Sequence, residues 1–198
     1  MKDQLYSQFF NSLLEICPID EATMELIKPY LVIQKAQKGT QLLSVGDISD
    51  KLYYLAKGLA RSYYYIQHRE ATAWIVTDGD FAYSPYSFIT QRPSNENIEL
   101  LEDSTLLFIA YDDLQRLYRT HPSVNFIGRK VVEKYLVVQE ERLRSLRMLS
   151  AEERYLRFCQ LYPTISTRVP IKYIASYLGL SRFTLSRLRG QRMKLPAH

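Results

Sequence analysis

The residues with the most definite chemistry lie in the run IKYIASYLGLSRFTLSRL, from Ile171 to Leu188. Arg182, Thr184, Arg187 and Arg189 fall off its apolar positions. An arginine fork can pair with guanine in the major groove or with a phosphate, and the first turn of a reading helix is the end that meets base edges. The spacing therefore points to duplex reading, with Arg182 and Arg187 at bases and Arg189 and Lys172 at phosphates. Ser181 is placed as helix cap and additional phosphate donor, and Phe183 could touch a thymine methyl.

The elements needed to hold these groups are written in the same run. Ile174, Ala175 and Leu178 share one helical face, Gly179 can supply the positive φ of a sharp turn, and Leu180, Leu185 and Leu188 form a facing stripe. Two short helices bent across each other, a helix-turn-helix, are expected. The alternative is a helical hairpin buried in another domain, its arginines merely solvated. The coincidence of spacing, turn glycine and basic face favours the first.

Charge supports the same division. Residues 151–198 carry nine Lys plus Arg against two Glu, a balance of +7, whereas residues 1–150 carry 17 basic and 19 acidic residues, a balance of −2; together they give the net +5. Positive charge is thus concentrated where phosphate counterions would be released. A chain of 198 residues with 46% apolar and 13% aromatic residues can build a real core. The absence of any apolar run near ~20 residues, and a start, MKDQLYSQFF, unlike a signal peptide, give the expectation of a cytoplasmic protein with no membrane partner. Cys17 and Cys159 match no metal-ligand spacing and read as reduced structural thiols.

Upstream, Leu5, Phe9, Leu13, Leu14 and Ile16 predict one helix, and Met24, Leu26, Ile27 and Tyr30 predict a second, with Asp20 as its cap. From Leu31 to Ala110 the period shortens to two, in short runs rich in Tyr, Val and Ile that are broken by Gly or Asp. This is the cadence of a sandwich or barrel. A long helix follows from Pro122 to Leu149. One stripe comprises Val124, Ile127, Val131, Tyr135 and Val138, and a second, heptad-like, comprises Val132, Leu136, Gln139, Leu143 and Leu146. One β-domain cannot cover both, so Val132, Leu136, Leu143 and Leu146 are expected to pair with a second copy. The competing reading packs the whole helix on its own β-domain.

The glycine-marked turns carry a resemblance. Gly39-Thr40 with Leu42, Gly46-Asp47, Leu52-Tyr53-Tyr54-Leu55 with Gly58, Gly79-Asp80-Phe81 and the terminal helical motif together resemble the Crp/Fnr family of bacterial transcription regulators over nearly the full length. The resemblance implies an α+β chain: an N-terminal double-stranded β-helix, or jelly roll, of the cyclic-nucleotide-binding type with flanking helices (1–121), a dimerisation helix (122–149) and a C-terminal winged helix-turn-helix (150–198). It also implies double-stranded DNA, a second copy, RNA polymerase and a small-molecule effector as partners, with no cofactor and no enzyme activity. Only TISTRVP separates the preceding helix from the reading motif and few residues follow it, which leaves little chain for a wing.

Two departures bear on the effector. Where nucleotide-binding members hold the ribose with a glutamate and the cyclic phosphate with an arginine, alignment places Ser84 and Ser94. A buried phosphate without a cation is costly, so cyclic AMP is not the expected ligand unless Arg92 takes over. Tyr63, Tyr65, Trp74, Phe81, Tyr83, Tyr86 and Phe88 could line an apolar or aromatic effector pocket, or simply fill the roll. Phe183 stands where relatives often carry a glutamate, so their operator does not transfer.

Other chemistries find no support. Two cysteines cannot hold an iron-sulfur cluster, and His68, His121 and His198 are too scattered for a metal or haem site. No nucleophile, zinc or phosphate-loop motif occurs, and Asp112-Asp113 and Glu140-Glu141 read as solvated charge. The remaining alternative is a small-molecule-binding β-barrel protein whose basic end contacts a protein partner.

Overall fold

The computed structural model describes residues 2–192. Two helices open it, α1 (Lys2–Leu14) and α2 (Glu21–Ile27), the second capped by Asp20, whose carboxyl accepts from the Thr23 N–H at 2.7 Å. The strands then run β1 (Val32–Ala36), β2 (Gln41–Leu43), β3 (Lys51–Lys57), β4 (Leu59–Ile66), β5 (Arg69–Thr77) and β6 (Phe81–Ala82). A short helix α3 (Pro85–Thr90) precedes β7 (Asn97–Leu100) and β8 (Ser104–Ala110). They pair antiparallel into two four-stranded sheets, ordered β1-β8-β3-β6 and β2-β7-β4-β5, a jelly-roll-like sandwich. The two-residue β6 and the helix α3 are too short for a periodicity to announce.

Alternation along the strands divides the burial into layers. Leu55, Ala60, Val76, Ile98, Leu100 and Leu106 fill the space between the sheets. Tyr54, Phe81, Leu107 and Ile109 turn the other way, onto α1 and α2 and onto the next helices, α4 (Tyr111–Thr120) and α5 (Pro122–Met148). The roll turns tightly at Gly58, φ +139°, where an added Cβ would lie 2.1 Å from Ser104 Oγ; only glycine fits.

The 27-residue α5 turns one of its apolar stripes to the roll and leaves most of the other uncovered. Val124 and Ile127 are buried and Val131 and Tyr135 half-buried against the roll, whereas Val132 and Leu136 are 52% and 67% exposed and Leu143 is 41% exposed. Leu146 instead lies half-buried near Gly179.

The chain ends in α6 (Ala151–Leu161), α7 (Ile165–Arg168), α8 (Ile171–Tyr177) and α9 (Arg182–Arg192). Ser150 and Glu153 form a reciprocal capping box at the start of α6. Ile174, Ala175, Leu178, Leu185 and Leu188 are buried together with Tyr155, Phe158, Ile165 and Val169, and Gly179 turns the chain at φ +65°. This cluster continues into Leu59 and Ile75 on the outer face of the β4-β5 sheet, so the terminal helices sit on the roll. No strand follows Ala110 among the described residues, so they contain no wing. No helix among them is long and apolar enough to cross a membrane.

Candidate effector pocket and nucleic-acid interface

Between the roll and α5 lies a cavity of about 490 Å³. Its walls include Trp74 from β5, Phe81 from β6, Tyr83 and Tyr86 around the start of α3, and Tyr135 from α5. Of the aromatics singled out from sequence, Trp74, Phe81, Tyr83 and Tyr86 line it; Tyr63, Tyr65 and Phe88 do not. Strand parity explains the first two. Ala60, Ser62 and Tyr64 face inward on β4, so Arg61, Tyr63 and Tyr65 face out. Tyr64 is the pocket tyrosine, and the inward phase set by buried Ala60 is the signal that finds it. Phe88 packs edge-on against Tyr83 and Tyr111 in the helical core.

The ends of the cavity are polar. Glu96, 4% exposed, accepts from Ser84 Oγ at 2.6 Å, and its backbone N–H donates to Ser94 Oγ at 3.1 Å. Ser84 and Ser94 are therefore spent behind the wall, holding Glu96 in place. Arg92 is exposed and does not reach the cavity; its carbonyl accepts from Ser87 Oγ at 2.6 Å. This end of the cavity thus presents a carboxyl, and Arg142 is the only Lys or Arg among its lining residues. At the other end, Arg142 of α5 lies over the Tyr177 ring, 4.3 Å from its centroid, and donates Nη2 to the Tyr177 carbonyl at 3.1 Å. Burial raises the Tyr64 hydroxyl above its ordinary pKa; nearby Glu96 raises it further and Arg142 acts against both. Asp80 takes a hydrogen bond from the Tyr135 hydroxyl and is likewise pushed up by burial, which ties α5 to the Gly-Asp-Phe turn. Glu96, Tyr64 and Arg142 carry no motif and could be found only once the strands were in register.

On the terminal helices, Ser181 Oγ accepts from the Thr184 N–H at 3.0 Å and shares a hydrogen bond with Thr184 Oγ1 at 2.9 Å, which caps α9. Arg182 and Arg187 are exposed and Phe183 is 79% exposed, while Thr184 and Arg189 are half-buried. Lys172, on α8, is exposed beside the Tyr173 ring. Lys172, Arg182 and Arg187 are thus in solvent while the apolar stripe of Ile174, Leu178, Leu185 and Leu188 is buried.

Three contacts fasten this unit to the roll. Arg168 donates to Asp78 Oδ2 at 2.5 Å, to Glu102 Oε2 at 2.7 Å and to the Gly58 carbonyl at 2.9 Å. Arg61, 1% exposed, lies between the Tyr63 and Tyr173 rings, 4.0 and 3.6 Å from their centroids, and bonds Glu70 and Glu99. The Thr72 N–H donates to Ser176 Oγ at 2.8 Å. Sequence reasoning missed all three, because each joins residues about 90 or more apart or depends on strand phase. Among the described residues no group of His, Cys, Asp and Glu could hold a metal; His68 is exposed at the β4-β5 turn, and both cysteines are free.

Comparison with known proteins agrees with this architecture. Residues 33–121 match the cyclic nucleotide-binding domain family. Among solved structures, the c-di-GMP-responsive global regulator CLP of Xanthomonas campestris superposes with a TM-score of 0.70 at 20% identity, over 90% of this chain and 96% of that one. FixK2 of Bradyrhizobium japonicum gives 0.69 at 17% identity, over 82% and 84%. A Crp/Fnr-family transcriptional regulator assigned in Eubacterium rectale gives 0.64 at 20% identity, over 89% and 85%. No curated protein sequence matches the chain. Residues 33–121 thus match the cyclic nucleotide-binding domain family, and the chain as a whole shares the fold of these solved structures.

Proposed function

We propose that the chain is a homodimeric, sequence-specific DNA-binding transcriptional regulator that does not respond to cyclic AMP. The observation that carries this reading is the capped helix α9, whose apolar side is sealed while Arg182, Phe183 and Arg187 stand in solvent at its reading end. Arg182 and Arg187 read base edges, Phe183 meets a thymine methyl, Thr184 and Ser181 fix the first turn, and Lys172 and Arg189 hold phosphates. The exposed stripe of Val132, Leu136 and Leu143 brings a second copy alongside and sets two reading helices on one face of the duplex.

Selection of bound sites from random duplex DNA tests the proposal. A recurrent two-fold site bound with a steep salt dependence is expected; the absence of any salt-dependent duplex binding would favour a protein partner for the basic end and overturn it. Calorimetry with cyclic AMP and cyclic GMP tests the sensor half. No binding in the micromolar range is expected, because Ser84 and Ser94 stand where a carboxylate and a guanidinium would be needed and Arg92 does not line the cavity.

A further inference from the structure

The cavity beside α5 is lined by one carboxyl, Glu96, and one guanidinium, Arg142, and no described residue forms an ion pair with either. Glu96 has only serine and tyrosine groups around its carboxyl, and no Lys or Arg lies within 4 Å of it. Arg142 has no carboxylate within that distance, and its buried Nε has no hydrogen-bond partner. The two form no ion pair with each other, yet both line the same cavity, together with Tyr64. Trp74, Phe81 and Tyr83 wall that space with rings. Burying unpaired charged groups is unfavourable, and the imbalance here is relieved by a guest that brings both missing partners.

We propose that the cavity binds an apolar zwitterion of the amino-acid class, its ammonium on Glu96, its carboxylate on the Arg142 guanidinium and its side chain among the rings. A phosphate or carboxylate alone would satisfy Arg142 and leave Glu96 facing a like charge; an amine alone would leave Arg142 unmatched. A zwitterion bridging two groups also needs them apart, which the missing direct pair allows. The volume, about 490 Å³, lies within the ~300–1,000 Å³ of ordinary small-ligand sites. The inference rests on the roll being the sensing half of the regulator proposed above, and makes no use of DNA binding.

Trp74 is the sole tryptophan of the chain and lines the cavity, so its emission reports occupancy. The probes are L-phenylalanine and L-leucine as zwitterions, phenethylamine as the amine alone, 3-phenylpropanoate as the acid alone, and cyclic AMP. At least one zwitterion is expected to shift Trp74 emission and raise the melting temperature, with each single-charge probe about tenfold weaker or more. Glu96→Gln keeps an acceptor for Ser84 and should weaken the zwitterion about tenfold without weakening 3-phenylpropanoate. Arg142→Gln, a second variant that keeps a donor for the Tyr177 carbonyl, should abolish the preference for zwitterion over amine. Failure of both zwitterions at millimolar concentration overturns the proposal, as does tighter binding of 3-phenylpropanoate or cyclic AMP. Site selection on the same preparation separates the two readings: duplex binding without zwitterion binding overturns only the ligand class, and loss of both overturns the regulator reading.

Discussion

At the scale of single residues, base contact and phosphate contact are separable because they respond differently to sequence and salt. Arg187→Ala should cost about 1–3 kcal/mol on the preferred site and little on random duplex, since a bidentate base pairing exists only where the right base is present. Lys172→Ala should weaken both kinds of site alike and flatten the salt slope by about one unit per lost phosphate contact. Equal losses on preferred and random duplex for Arg187→Ala would make that residue a backbone contact. Ser181→Ala removes the acceptor for the Thr184 N–H and should lower stability by about 1 kcal/mol, seen in thermal melting. Fluorescence anisotropy on two duplexes across a salt series measures the first two effects. That Arg182 and Arg187 stand in solvent while Leu185 and Leu188 are buried was legible, because helical spacing alone fixes which positions are covered. Of the pocket aromatics, Trp74, Phe81, Tyr83 and Tyr86 were legible and Tyr64 was not: on β4 a one-residue error of phase exchanges Tyr64 for Tyr63 and Tyr65 and reverses which face is the interior.

At the scale of elements, the terminal helices are held to the roll by a small set of groups, and Arg168 is the most connected of them. Burial alone would raise the Asp78 pKa, but the Arg168 guanidinium and the Gly58 N–H hold its carboxyl below the ordinary aspartate range. A depressed acid contributes stability that is fully present above its unfolded value, ~4, and lost as pH falls through the folded one. Docking of α6–α9 on the roll should therefore weaken in acid below about pH 4. Arg168→Met, which removes the hydrogen bonds to Asp78, Glu102, Thr77 and the Gly58 carbonyl but keeps the aliphatic stem, should weaken docking at neutral pH by about 1–3 kcal/mol. Hydrogen exchange at α8 and on β5 reads this directly; unchanged protection at the β5 amides in Arg168→Met would show that the Arg61 stack and the apolar cluster suffice. Elements whose signal is local were visible in sequence: the long helix, the capped turn at Ser181, the strands between glycine turns. The latch was not, because Arg168 meets Asp78 and Glu102 only after 90 and 66 residues of chain have folded between them.

For the whole molecule, the deciding feature is the face of α5 that the fold leaves uncovered. The stripe through Val124, Ile127 and Tyr135 is used up against the roll, while Val132, Leu136, Val137 and Leu143 remain 41–67% exposed in a row along one helix. Apolar surface of that extent on a lone helix is costly to keep in water, and a second α5 laid against it gives each leucine an identical partner across a two-fold axis. In the proposed regulator the same axis would multiply DNA affinity, because two half-sites bound by one dimer release twice the counterions of one. Leu136→Lys with Leu143→Lys would set like charges against each other at the seam. The wild type should sediment as a dimer at micromolar concentration and the double variant as a folded monomer with unchanged helix content. On duplex DNA the variant should fall to the affinity of a single half-site while keeping its base preference, since the reading helix lies far along the chain from the substitutions. A wild type that sediments as a monomer at that concentration would refute the pairing, and a double variant that loses base preference along with affinity would show that α5 also shapes the reading surface within each protomer.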